Sequence, residues 1–176
     1  MFDGSKRVLL LGVAFLVLLV LSYFENVLFF QILDTLFQNQ FLGFLMIFIH
    51  NVTVISLILL GMTFYVNLVV QGFFKGQKHE DVVLKHPRIF AIVFTIVIVL
   101  LSILRGSTLI FGEIMVEALP KIVLASVPMG IIEGYGIYLT IRRTLSRTLS
   151  LKDLAYIYCI FFIAAVVELG FINLLM

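Results

Sequence analysis

Apolar residues in this chain come in long unbroken runs, parted by short stretches where the charges gather. Five runs stand out, at residues 8–24, 41–70, 88–110, 121–141 and 153–174. A helix crossing the hydrocarbon core needs about 20 mainly apolar residues. The second run is longer than that, which predicts a tilted helix or one that extends past the membrane. None of the runs alternates with the period of two that a barrel strand would show, so helices are the spanning solution. The pattern predicts an all-α polytopic membrane bundle of about five transmembrane helices, forming a single domain over residues 1–176.

Two stretches fit neither a span nor a simple turn. Residues 26–40 mix apolar groups with Asp34 and glutamines, and residues 111–120 do the same with Glu113 and Glu117. Each reads as a short amphipathic segment at the outer interface, a re-entrant piece or a structured external loop.

Composition agrees with the pattern. The chain is 62% hydrophobic and 12% charged, against about 45–50% and about 25% in soluble domains. Its net charge of +2 carries no nucleic-acid signature. The lone Cys159 excludes an intrachain disulfide. Lys6 and Arg7 followed by an apolar run resemble a signal peptide, but Phe24, Glu25 and Asn26 follow instead of small residues. A retained first helix is expected.

The basic residues set the expected orientation. Ten of the twelve Lys and Arg residues fall on one side of the five-span scheme: Lys6, Arg7, Lys75, Lys78, Lys85, Arg88, Arg142, Arg143, Arg147 and Lys152. Arg105 and Lys121 fall on the other. The positive-inside rule then puts the N-terminus and both basic loops in the cytoplasm and the C-terminus outside the cell membrane.

Among the polar residues inside the runs, His50, Asn51, Glu133 and Glu168 stand out. Ionisable groups in hydrocarbon are costly, by ~2.5–3.5 kcal/mol on insertion scales, and mark functional sites by default. At 1.5 Å per residue, His50 lies about 13 Å, Glu133 about 18 Å and Glu168 about 9 Å from the outer ends of their segments. Similar depth favours one shared polar cluster. Gly61 falls on the stripe of His50. Gly130 and Gly134 form a small-xxx-small pattern beside Glu133 that lets two helices approach, within the chain or between two copies. Each acid admits a structural role as a protonated, hydrogen-bonded carboxyl. His50, Glu133 and Glu168 could also supply three ligands to zinc or a similar divalent ion, with a fourth position open. No HExxH spacing, nucleophile elbow or phosphate-binding loop accompanies them. Asn51-Val52-Thr53 has the glycosylation pattern but lies within a span, out of a glycosyltransferase's reach.

At three of these places the chain resembles the stage II sporulation protein M family. Ile49-His50-Asn51 followed by Gly61 is similar to the family's "HN…G". Val127-Pro128-Met129-Gly130-Ile131-Ile132-Glu133 is similar to its "PHGxxE", with Met129 where His is common. Ala164-Ala165-Val166-Val167-Glu168 is similar to its "AAxxE". The resemblance covers residues 41–176, with the first run fitting loosely. It implies an all-helical membrane fold with a polar cluster of His50, Asn51, Glu133 and Glu168. The family's sporulation member works with partners that degrade peptidoglycan.

Three functions compete on this basis. The first is a membrane scaffold or assembly factor, in the lipid bilayer with partner membrane proteins or as a homo-oligomer. The second is a transporter or channel component moving protons or a cation through Glu133, Glu168 and His50. The third is an intramembrane metal-dependent enzyme.

Overall fold

The computed structural model describes residues 4–31, 39–75, 82–111 and 114–175. Among these residues there are six α-helices and no strand. They are α1 (Gly4–Gln31), α2 (Gln40–Val70), the single turn α3 (Val82–Lys85), α4 (Pro87–Phe111), α5 (Leu119–Leu145) and α6 (Leu151–Leu175). A short 3₁₀ turn at Val116–Ala118 leads into α5. The fold is an all-α helical bundle. Four stretches are long and apolar enough to cross a membrane: Gly4–Phe29, Gln40–Val70, Pro87–Leu104 and Leu151–Gly170. They are compatible with a multi-pass membrane protein. Helix α5, 27 residues long, covers the run expected at 121–141 and is not one of these four.

The long helices match the apolar runs closely, except at the first. Helix α1 continues through residue 31, so residues 26–31 of the expected amphipathic segment are helical and Glu25 lies inside a helix. Residues 32–38 and residues 112 and 113 of the two expected outer segments lie outside the described residues.

Local chemistry fixes the helix ends. Asn39 caps α2, its Oδ1 accepting from the backbone N–H groups of Phe41 and Leu42 at 3.1 and 3.2 Å. Ser150 and Asp153 cap α6 reciprocally. Ser150 Oγ accepts from the Asp153 N–H, and Asp153 Oδ2 accepts from Ser150 N–H and Oγ–H. Proline at position 87 opens α4, where its missing N–H costs nothing. Two helices end in the same left-handed motif. After α2, Gly72 (φ 72°) takes the left-handed position, and the Phe73 N–H reaches back to the Leu68 carbonyl. After α5 the position falls to Arg147 (φ 56°), with the Thr148 N–H bonded to the Arg143 carbonyl.

Helices α1 and α2 form an antiparallel hairpin in one continuous register. Gly4 meets Gln71, Gly12 meets Phe64, Phe15 meets Gly61 and Glu25 meets His50, and in every pair the residue numbers add to 75 or 76. Helix α2 also packs on α5 and α6, and α5 packs on α4 and α6. The bundle thus centres on α2 and α5, with α1 and α4 on its flanks. The core, formed by Ile55, Val66, Ala91, Ile137, Ile141, Leu145, Ile157 and Phe161, lies toward the end that carries Gly4 and the two basic loops. Thr140 and Thr95 return their hydroxyls to the carbonyls of Gly136 and Ala91 in their own helices, which lets threonine sit in an apolar environment.

Glycines set the closest approaches. A Cβ on Gly61 would stand 2.9 Å from the Phe15 ring, and one on Gly136 would stand 2.6 Å from Phe161. Gly134 is buried against Val99 and Thr95 of α4, and Gly130 lies 3.9 Å from Val99 by the same measure. The small-residue face at Gly130 and Gly134 therefore serves a contact within the chain. Sequence spacing pointed to Gly61 and missed Gly136, the tightest contact of the set.

Gly136→Ala is expected to destabilise the bundle by about 1–3 kcal/mol, because the ring of Phe161 and the backbone of α5 must part. Gly170, with open space around it, is the control, and Gly170→Ala should leave stability unchanged. Thermal unfolding of the two variants in the same detergent measures the difference.

Candidate functional site

The best-defined polar contact inside the apolar spans joins α1 to α2. His50 Nδ1 lies 3.0 Å from Glu25 Oε2. Only 20% of the histidine side chain and 12% of the glutamate side chain are accessible. Both residues are well inside their helices: Glu25 is six residues, or about 9 Å, from the end of α1, and His50 is ten residues, or about 15 Å, from the start of α2. The hydrogen bond lets one proton be shared between an imidazole and a carboxylate. In the ionised state it sets opposite charges together, which reduces the cost of holding either one in a low-dielectric setting. The Phe29 ring lies 6.2 Å from the imidazole, centroid to centroid, and closes the contact on the α1 side.

Two polar atoms near this level have no hydrogen-bond partner among the described residues: Glu25 Oε1 and Asn51 Nδ2. Asn51 is 7% exposed, so its amide is sealed from the surroundings of the bundle. Buried polar atoms of this kind are uncommon, because each forfeits its hydration without replacement.

Glu133 and Glu168 are half-buried on α5 and α6. The structure brings His50 to Glu25, a residue that sequence reasoning placed at the edge of the first run and assigned no role. Among the described residues, no three His, Cys, Asp or Glu side chains gather as they would around a metal ion. The expected set of His50, Glu133 and Glu168 therefore gains no support as a zinc site, and one ring nitrogen of His50 is already directed at Glu25. The signal for Glu25 was present in the chain. It is the one acid within helical reach of the first run, and a hairpin pairing of the first two runs brings it to the level of His50.

Other polar side chains link helices elsewhere. Ser56 Oγ and the Tyr158 hydroxyl lie 3.0 Å apart, tying α2 to α6. Gln71 Nε2 donates to the Gly4 carbonyl, tying the two ends of the first hairpin. Arg143 Nε approaches Asp153 Oδ1 at 3.9 Å between α5 and α6. At the opposite end of the bundle, Phe44 and Phe48 of α2 meet Phe162 of α6 edge to face, at 5.4 and 5.6 Å.

No family model, curated protein or solved structure matches the chain.

A double-mutant cycle tests the pair. Glu25→Leu and His50→Leu should each cost about 1–3 kcal/mol, since each removes one partner of a part-buried polar contact. The combined variant should recover most of that loss, and Glu25→Gln, which keeps a hydrogen bond, should stay near wild type. Unfolding in detergent, followed by circular dichroism, reads all four.

Proposed function

We propose that this chain is a five-pass membrane scaffold, a non-enzymatic protein of the cell membrane that holds partner membrane proteins. What carries the proposal is the use made of the polar side chains. Glu25–His50, Ser56–Tyr158 and Gln71–Gly4 each fasten one helix to another. Such cross-links make a fixed platform. The resemblance to the stage II sporulation protein M family at Ile49-His50-Asn51, at the stretch ending in Glu133 and at Ala164–Glu168 supports the same role. The family's sporulation member acts through partner proteins. The strong bias of Lys and Arg to one side supports a cytoplasmic N-terminus and an extracytoplasmic C-terminus. Purification from native membranes in mild detergent should yield the chain with a stoichiometric membrane-protein partner. A chain that emerges alone and monomeric counts against the scaffold.

A second function is favoured by one specific observation. Glu25 Oε1 and Asn51 Nδ2 are buried without hydrogen-bond partners among the described residues. Intramembrane acids and imidazoles are the usual stations of proton relays, and Glu25, His50, Glu133 and Glu168 would be the stations here. Proteoliposomes of wild type, Glu25→Gln and Glu133→Gln decide it. Proton or cation flux above empty vesicles, reduced in either variant, supports transfer, and background flux in all three removes it.

A further inference from the structure

One cleft in the bundle has a composition that the helix-tying role leaves unexplained. It lies between the end of α5 and the start of α6 and is lined by Tyr135, Leu139, Arg143, Asp153, Tyr156 and Ile157, with a volume of about 90 Å³. It opens at the basic end of the bundle. At the junction of these two helices, Arg142, Arg143, Arg147 and Lys152 accompany the single carboxylate of Asp153.

The lining is mixed in character. Arg143 and Asp153 are its charged residues. Leu139 and Ile157 are its apolar ones, and Ile157 is buried in the core. Tyr135 and Tyr156, 48% and 55% exposed, stand on the outer surface of the two helices and give the cleft its hydroxyls. Tyr135 is eight residues from Arg143, about 12 Å along the helix. The excess of cations around the turn, the apolar lining and the tyrosine hydroxyls match an anionic phospholipid, in which phosphate, ester carbonyls and acyl chain follow in that order. Tyrosine is enriched at this level of membrane proteins for the same reason.

Arg143 has guanidinium donors to spare beyond its ion pair with Asp153. Asp153 meets it only through Nε and only at 3.9 Å, beyond hydrogen-bond length. The second carboxylate oxygen of Asp153 is engaged by Ser150 in the α6 cap. The guanidinium of Arg143 makes no hydrogen bond among the described residues, and 45% of the side chain is accessible. Its planar fork of N–H donors suits two phosphate oxygens at once. Arg142 is directed elsewhere, with its guanidinium 5.8 Å above the Tyr138 ring.

We infer that the α5–α6 cleft is a binding site for an anionic phospholipid of the adjoining leaflet, with Arg143 holding the phosphate and Tyr135 and Tyr156 flanking the glycerol esters. The inference rests on the membrane placement of the bundle and is independent of any protein partner.

The test uses the full chain in detergent with phosphatidylglycerol or phosphatidylcholine as the probe, read by native mass spectrometry and by the lipid-induced rise in unfolding temperature. Wild type should retain phosphatidylglycerol in preference to phosphatidylcholine, and millimolar inorganic phosphate should not displace it. Arg143→Gln should weaken retention about tenfold, the loss of one charge-assisted bidentate contact. Arg88→Gln, which removes a cation at the same end on α4, should change nothing. Tyr135→Phe/Tyr156→Phe keeps the packing and charge, so it reads the site even if Arg143→Gln folds poorly, and it should weaken retention as well. Equal losses in Arg143→Gln and Arg88→Gln, equal retention of the two lipids, or full retention in the tyrosine variant would overturn the assignment. A chain that stays soluble and binds neither lipid would instead remove the membrane placement itself.

Discussion

A polar group within hydrocarbon must find its partner inside the protein, and most of this bundle can be understood from that constraint. Backbone groups meet it by forming helices. Threonines meet it by turning their hydroxyls onto the preceding turn, as Thr140 and Thr95 do. Glu25 and His50 meet it across two helices. Stability alone gives little reason to keep such a pair, since replacing a buried ionic contact with apolar side chains is often neutral or favourable. What the pair adds is register. Shifting α1 by one turn against α2 would break this contact.

Register is enforced a second time by shape. Gly12 receives the ring of Phe64, and Gly61 receives that of Phe15, in the same antiparallel pairing that joins Glu25 to His50. Lipid tails are as apolar as leucine, so helices in a bilayer gain little from burying hydrocarbon and depend on close contact and polar ties. Glycine against aromatic is a close contact of this kind, and Gly136 against Phe161 repeats it between α5 and α6. The aromatic triad of Phe44, Phe48 and Phe162 completes the α2–α6 seam toward the opposite end.

The two ends of the bundle differ. The aliphatic core gathers toward the end where the basic loops lie, and the arginine- and tyrosine-lined cleft opens there as well. The other half holds the ionisable groups of the spans.

The chain itself determined the all-α class, the four helices that match apolar runs to within a few residues, and the packing role of Gly61. These follow from length, hydropathy and small-residue spacing, which are local properties. The extension of α1 to Gln31 escaped that reasoning, because its last turns mix Glu25, Asn26 and Gln31 with aromatic residues and resemble an interfacial segment. The partner of His50 escaped it too. Depth grouped His50 with Glu133 and Glu168 and left out Glu25, which the structure sets 3.0 Å from its imidazole. Composition fixes how deep a side chain sits, but the azimuth of each helix and the pairing of neighbours come from contacts between residues far apart in sequence. That is why the tertiary structure alone decided that α1 lies along α2, that the Gly130/Gly134 face turns to α4, and that Arg143 stands over a cleft.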